Sequence, residues 1–178
     1  MEFWFSEFHT PDVKHSIRVN KQLYSKQSDY QRIDIFETPE FGRVLTLDGN
    51  VMLTERDEFI YDEMIVHVPM AVHKQAKDIL VIGAGDGGVV RELTRYDRVE
   101  RIDLVEMDPQ VVEACRAFLP SNACRMDDRR VHIYLRTPSS ISAAARRSTT
   151  SSSWTPPIPS AHPRVCSPAS STAAASMP

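Results

Sequence analysis

Residues 78–96 place the tightest constraint on this chain. A short, fully apolar run, Ile79-Leu-Val-Ile82, ends in Gly83-Ala-Gly-Asp-Gly-Gly88 and passes into a helical stretch from Val89 to Tyr96. A second apolar strand follows at Arg101–Glu106. Asp108-Pro109 then opens a helix that runs through Phe118, with proline at its favoured first position, and Val131–Tyr134 reads as a third strand. Strands alternating with helices in this order predict a parallel sheet with right-handed crossovers.

Upstream the pattern belongs to another class. Ser16–Asn20, Arg32–Phe36 and Val44–Leu47 alternate apolar residues near period two, broken at Thr38-Pro39 and Asp48-Gly49-Asn50. Gly and Asn tolerate the positive φ of a hairpin turn, so a small antiparallel unit is expected over residues 1–54. Glu55 to Val68 carries Phe59, Ile60, Met64 and His67 or Val68 at helical spacing, with Pro69 predicted to close that helix.

Composition changes at about Leu135. All 24 acidic residues, all six glycines and every lysine lie before it; the 44 residues from Leu135 hold 12 Ser, 8 Ala, 7 Pro and 5 Thr. Such a segment cannot offset its chain entropy by burial, so disorder is expected over 135–178. The expected fold class is therefore α/β: a small N-terminal antiparallel β domain (1–54), an incomplete parallel sheet with crossover helices (55–134) and a disordered tail. An exposed strand edge is an odd place for a domain to stop.

The overall charge of −3 hides 24 acidic against 17 basic residues in the first 134, a balance of −7, and +4 in the tail. An acidic front segment argues against nucleic acid and leaves room for cationic small molecules. No run of ~18 apolar residues spans a membrane, and the N-terminus lacks the order of a secretory signal, so the expectation is a cytoplasmic protein. Cys115, Cys124 and Cys166 form neither a disulfide framework nor a CxxC pair, and are read as buried or idle thiols. The six histidines show no H-x-x-x-H spacing, so no metal is assigned.

The loop carries the chemistry. Gly83, Gly85 and Gly88 satisfy G-x-G-x-x-G at a helix N-terminus, and Glu106 ends the next strand, where a carboxylate can take two ribose hydroxyls. An adenosine-type ligand is the reading that follows. Asp86 restricts it, because an aspartate in the loop repels a pyrophosphate or a ligand carboxylate and attracts a cation; capping of the following helix explains Asp86 equally well. Glu55, Asp57, Glu58, Asp62 and Glu63 crowd one stretch, with Glu58 and Asp62 four apart beside Tyr61. A cation pocket is one reading of that block; a solvated charged face is the ordinary one and leads on the block alone.

Taken together, Tyr30-Gln-Arg-Ile, Phe36-Glu-Thr, Phe41-Gly-Arg-Val-Leu-Thr-Leu-Asp-Gly, Glu55-Arg-Asp-Glu-Phe-Ile-Tyr-Asp-Glu-Met, His67-Val-Pro and the Gly83–Gly88 loop resemble the polyamine aminopropyltransferase (spermidine synthase) family, in register from about Trp4 to Tyr134. The resemblance implies an N-terminal β domain followed by a truncated Rossmann-like, methyltransferase-type domain, and transfer of the aminopropyl group of decarboxylated S-adenosylmethionine to putrescine, giving spermidine and methylthioadenosine. The donor is a co-substrate, and no resident cofactor is implied. It implies that Gln31 and Glu106 bind the nucleoside, that Gly83, Gly85 and Gly87 shape the nucleoside loop, and that Tyr61 and Asp86 hold the amines. Asp62 stands where many bacterial members carry histidine. Members are typically homodimers or homotetramers.

The family's base lies in an Asp-Ser/Cys-Thr-Asp-Pro motif after the fourth parallel strand, and the chain has no such motif. A changed reading frame accounts for this. Reading one base earlier through allowed codons turns Arg136–Ile141 into Glu-Asp-Ala-Leu-Lys-Tyr. The same register turns Ser148–Pro159 into Glu-Tyr-Asp-Leu-Ile-Ile-Val-Asp-Ser-Thr-Asp-Pro. The expectation is thus a spermidine synthase gene product whose frame shifts near Tyr134 or Leu135, inactive as written. Two alternatives stand beside it: an S-adenosylmethionine-dependent methyltransferase-like protein, and a non-catalytic fragment pairing with a full-length subunit.

Overall fold

The computed structural model describes residues 2–135; the frame-shift and disorder readings of the tail, and Cys166, lie outside that range. Three sheets follow one another in the chain. β1 (Phe3–Thr10) and β2 (Val13–Val19) form an antiparallel hairpin. β3 (Lys21–Gln27), β4 (Arg32–Thr38), β5 (Gly42–Leu47) and β6 (Asn50–Thr54) form a four-stranded antiparallel meander. The two-residue connection between β5 and β6 is Asp48-Gly49, both at positive φ (50° and 78°), as a hairpin that follows the twist of its strands requires.

After the meander come α1 (Glu58–Val72), β7 (Asp78–Ile82), α2 (Gly88–Thr94), β8 (Arg101–Glu106), α3 (Pro109–Phe118), a short α4 (Pro120–Ala123) and β9 (Val131–Leu135). β7, β8 and β9 pair in parallel and in sequence order, with Ile79 opposite Ile102 and Leu104 opposite Ile133. The α/β class and the antiparallel-then-parallel order expected from the sequence are what the structure shows.

Two apolar cores hold these layers. Val66 and Met70 of α1 join Val81, Val89, Val90, Leu93, Ile102 and Leu104 beneath α2. Ile33, Ile35 and Leu45 of the meander pack on Val111, Ala114, Cys115 and Leu119 of α3, so the antiparallel unit and the parallel sheet share a core. Each fully buried aliphatic side chain is worth about 1.5–3 kcal/mol relative to exposure.

Two local expectations are corrected. The antiparallel region holds six strands among the described residues, not three: β1, β3 and β6 are added, β1 and β3 being mostly exposed without the alternation that marks a half-buried strand and β6 only five residues long. Pro69 does not close α1. The helix starts later, since the Glu55 and Arg56 N–H groups are engaged by the Arg43 and Phe41 carbonyls. It then continues past Pro69, where burial of Met70 holds the last turn and His73 N–H donates to the Pro69 carbonyl.

Candidate active site

The β7–α2 loop lies at the carboxyl end of β7, anchored by the Gly83 N–H donating to the Val105 carbonyl at 2.8 Å. Gly83, Ala84 and Gly87 all take positive φ. Two glycines are required by side chains that approach from either flank. A Cβ on Gly85 would lie 2.9 Å from Glu106 Oε2, and one on Gly88 would lie 1.9 Å from Asp62 Oδ2. The loop is therefore clamped between two carboxyls.

Glu106, Asp108, Gln31 and Ser28 make up one flank. Glu106 Oε1 accepts from the N–H groups of Met107 (2.8 Å) and Asp108 (2.9 Å), which fixes the carboxylate beside Gly85. Burial raises the pKa of Glu106 even though these backbone donors oppose the shift. Asp108 is fully buried at the N-cap of α3 and accepts from Gln110 N–H at 3.0 Å. Its other oxygen takes the Ser28 hydroxyl at 2.6 Å and the Gln31 amide at 3.1 Å. Gln31 is thus drawn from the β3–β4 turn to the mouth of the parallel sheet. The sequence reading gave Asp108 only a place at the start of a helix.

Tyr61, Asp62 and Glu58 of α1 and Asp86 and Arg91 of the loop and α2 make up the other. Asp86 Oδ1 accepts the Gly88 N–H at 2.9 Å, so it engages the first N–H of α2 although the N-cap residue itself is Gly87. Burial, reinforced by the charge of Glu58, raises the Asp86 pKa. Tyr61 is half exposed, and burial together with the Asp62 and Asp86 charges raises its phenol.

The solvated-face reading of the acidic block fails at Asp62, which is only 4% exposed. Burial first, then a hydrogen bond with Glu58 and the charges of Asp86 and Glu58, push its pKa up to about 9. Glu58 takes the opposite role. Burial works against its charge, but hydrogen bonds from Arg91 and Asp62 and the guanidinium's charge outweigh that and hold it low. The two therefore share one proton. Arg91 grips Glu58 with two bonds (2.9 and 2.8 Å), donates to Glu92 at 2.9 Å and stands 4.0 Å from Asp62. No sequence spacing pointed to Arg91.

This proton has a pH signature. An unfolded aspartate ionises near 3.8, whereas folded Asp62 holds its proton to about 9, so the native state binds one more proton across that window. Stability contributed here is full below the lower value and is lost as pH rises toward the upper. Asp62→Asn keeps a donor for Glu58 and cannot ionise. Urea titrations from pH 5 to 9 should show it more stable than the parent above pH 7, by on the order of 1 kcal/mol, with a flatter pH slope.

Among the described residues one group has metal-ligand geometry: Glu63, His67 and Glu92. It escaped the histidine-spacing test because Glu63 and His67 are four apart on α1 and Glu92 comes from α2. Arg95 already lies against both carboxylates, 2.6 Å from Glu92 and 3.8 Å from Glu63. His67 Nδ1 pairs with the Tyr96 hydroxyl at 2.8 Å. A guanidinium fills the place of a cation, and these residues are assigned no metal. Cys115 and Cys124 are both free thiols, the first buried and the second exposed.

Comparison with known proteins gives the arrangement a context. Residues 3–55 match the family model of the spermidine synthase tetramerisation domain, and residues 58–140 match that of the spermine/spermidine synthase domain. Polyamine aminopropyltransferases of Clostridium botulinum and Lachnospira eligens are 61% and 59% identical over 133 and 134 residues, 75% of this chain and 47% of each relative. A crystal structure of Thermotoga maritima spermidine synthase superposes with a TM-score of 0.74 at 46% identity. So does a spermidine synthase in complex with the transition-state analogue AdoDATO; each match covers 76% of this chain and 48% of the other. The chain spans about half the length of the relatives it matches. Across nearly all of its described residues, from the first hairpin to the last parallel strand, the chain belongs to the spermine/spermidine synthase family.

Proposed function

We propose that residues 2–135 form the donor-binding half of an aminopropyltransferase site, taking decarboxylated S-adenosylmethionine as co-substrate with no resident cofactor. The observation that carries this reading is a glycine loop in which Glu106 lies against Gly85 and Asp86 accepts the Gly88 N–H. Glu106 is fixed to accept two ribose hydroxyls. Asp86 spends one oxygen on the Gly88 N–H and would offer the other to the ammonium that ends the decarboxylated donor's chain, while repelling the carboxylate of S-adenosylmethionine. Gln31 closes the nucleoside side. Tyr61 stands at the open mouth, where the diamine would enter.

In the transfer a neutral amine of putrescine attacks the carbon next to the sulfonium. A C–N bond forms, the C–S bond breaks with its electron pair returning to sulfur, and methylthioadenosine leaves. An amine with pKa near ~10 is mostly protonated at neutral pH, so a carboxylate base must first take a proton from the attacking nitrogen, and the secondary amine formed is left as an ammonium. The 178-residue sequence has no Asp-Ser-Thr-Asp-Pro motif to supply that base, so donor binding without turnover is the expected behaviour. Self-association is expected through the β1–β2 hairpin, where Phe3, Trp4 and Phe8 stand exposed. No helix among the described residues is long and apolar enough to cross a membrane.

Calorimetric titration tests the donor reading. The chain should bind decarboxylated S-adenosylmethionine at least tenfold more tightly than S-adenosylmethionine, and Asp86→Asn, which keeps an acceptor for the Gly88 N–H, should erase that preference. Equal affinity of the parent for both ligands would point instead to a methyltransferase-like site.

A further inference from the structure

Asp108 touches both side chains assigned to the nucleoside. Its backbone N–H donates to Glu106 Oε1 at 2.9 Å, and its Oδ2 takes the Gln31 amide at 3.1 Å. The two carboxylate oxygens divide their work. Oδ1 caps α3 through the Gln110 N–H, while Oδ2 is given over to the β3–β4 turn, where Ser28 and Gln31 both donate to it. Capping alone asks nothing of the second oxygen.

The hydrogen bonds of Gln31 settle how its amide is turned. Its backbone N–H donates to Ser28 Oγ at 3.0 Å, and its backbone carbonyl accepts the Ser28 N–H at 2.9 Å. Ser28 Oγ also accepts the Tyr30 N–H at 3.1 Å. Its single proton has the Gln31 carbonyl at 3.0 Å and Asp108 Oδ2 at 2.6 Å in reach, and the shorter bond is the one to the carboxylate. A carboxylate only accepts, so it fixes which end of the Gln31 amide it meets. Turned over, Gln31 would press its own oxygen against Asp108 Oδ2. Among the described residues, Oε1 is the one polar atom of Gln31 without a partner.

The nucleoside side therefore offers a ligand acceptors alone, the Glu106 carboxylate and the Gln31 side-chain carbonyl. A ribose with both hydroxyls free supplies donors to such a pair; a phosphate on either hydroxyl brings only further acceptors and negative charge. We propose that Asp108 is a positioning residue of the donor site: its buried carboxylate holds the Gln31 amide so that only the carbonyl is left for the ligand, and the site thereby selects a ribose with both hydroxyls free. The inference rests on the nucleoside reading of Gln31 and Glu106 and deepens it.

Calorimetric titration of the 178-residue chain with methylthioadenosine and its 2′,3′-dideoxy analogue reads this ribose preference, expected at about a hundredfold. Asp108→Asn keeps an oxygen for the Gln110 N–H and turns an amide toward Gln31, which flips to meet it. The preference should fall about tenfold, with affinity for the dideoxy analogue changed less than about twofold. Gln31→Met should lose the same factor, and the double variant should lose no more. Ser28→Ala is the control for a merely structural role. It loosens the β3–β4 turn, leaves the carboxylate in place and should weaken both ligands alike. The unsubstituted chain gives a second readout, since the Gln31 Nε2 protons should exchange at least tenfold more slowly than those of exposed Gln75, with or without methylthioadenosine.

Equal loss of both ligands in Asp108→Asn, a further loss of preference in the double variant, or Gln31 Nε2 protons that exchange like those of Gln75 would each overturn the inference while nucleoside binding stands. A chain that binds neither ligand overturns the nucleoside reading itself, and the inference falls with it. Selection between S-adenosylmethionine and its decarboxylated form belongs to Asp86 and is read separately, so its loss leaves the role of Asp108 intact.

Discussion

Arg91→Met should cost the chain about 3–5 kcal/mol, read as a drop in the urea midpoint at constant slope. The guanidinium is the counter-ion for two carboxylates with side chains only 10% and 4% exposed, Glu58 on α1 and Glu92 beside it on α2. Methionine fills a similar volume and removes the charge, so the loss reports electrostatics in place of packing. Glu58 and Asp62 would then lose their guanidinium, and Glu92 would keep Arg95 and His67. The partner substitution provides the control. Glu58→Gln in the Arg91→Met background should recover about half of the loss, because a neutral amide has no charge to strand and still bonds to Asp62. If the single substitution costs under ~1 kcal/mol, the cluster is behaving as an exposed surface pair and α1 is held to α2 by its apolar residues alone.

The legibility of this molecule followed the range of its interactions. The β7–α2 loop and the acidic end of β8 are local patterns, set by residues a few positions apart, and they stand in the structure where the sequence put them. The two clusters that fix the loop's flanks are not local. Arg91 meets Glu58 across 33 positions and Asp108 meets Ser28 across 80, so no periodicity announces either. Asp62 was misjudged for a related reason. Charge runs usually face water, and nothing in the run itself shows that Gly88 leaves room for a carboxyl at the start of α2. β1 and β3 were hidden for the opposite reason, since strands left mostly exposed carry no apolar alternation to read.

The second large effect is expected at Asp108. Asp108→Ala removes the cap of α3 and the acceptor for Ser28 and Gln31 in one change, for a loss of about 3 kcal/mol. Caps alone are worth about 1 kcal/mol, so the excess measures the join between the β meander and the parallel sheet. That join has other parts: Arg43 donates to the Phe118 carbonyl at the far end of α3, and the core around Ile33 and Leu119 remains. The chain should therefore stay folded, with the meander loosened at its β3–β4 turn. Asp108→Asn separates the contributions, because its oxygen can still receive the Gln110 N–H while its amide faces two donors. It should recover the cap and little else. A double-mutant cycle with Gln31→Ala should show coupling of at least about 0.5 kcal/mol. Coupling near zero would mean that Gln31 reaches Asp108 without stabilising the join, and that its position at the loop is set by the β3–β4 turn alone. Donor titration adds the functional arm. Since the Asp108 backbone N–H is one of the two that fix Glu106, fraying of α3 should weaken nucleoside binding while leaving the preference set by Asp86 intact.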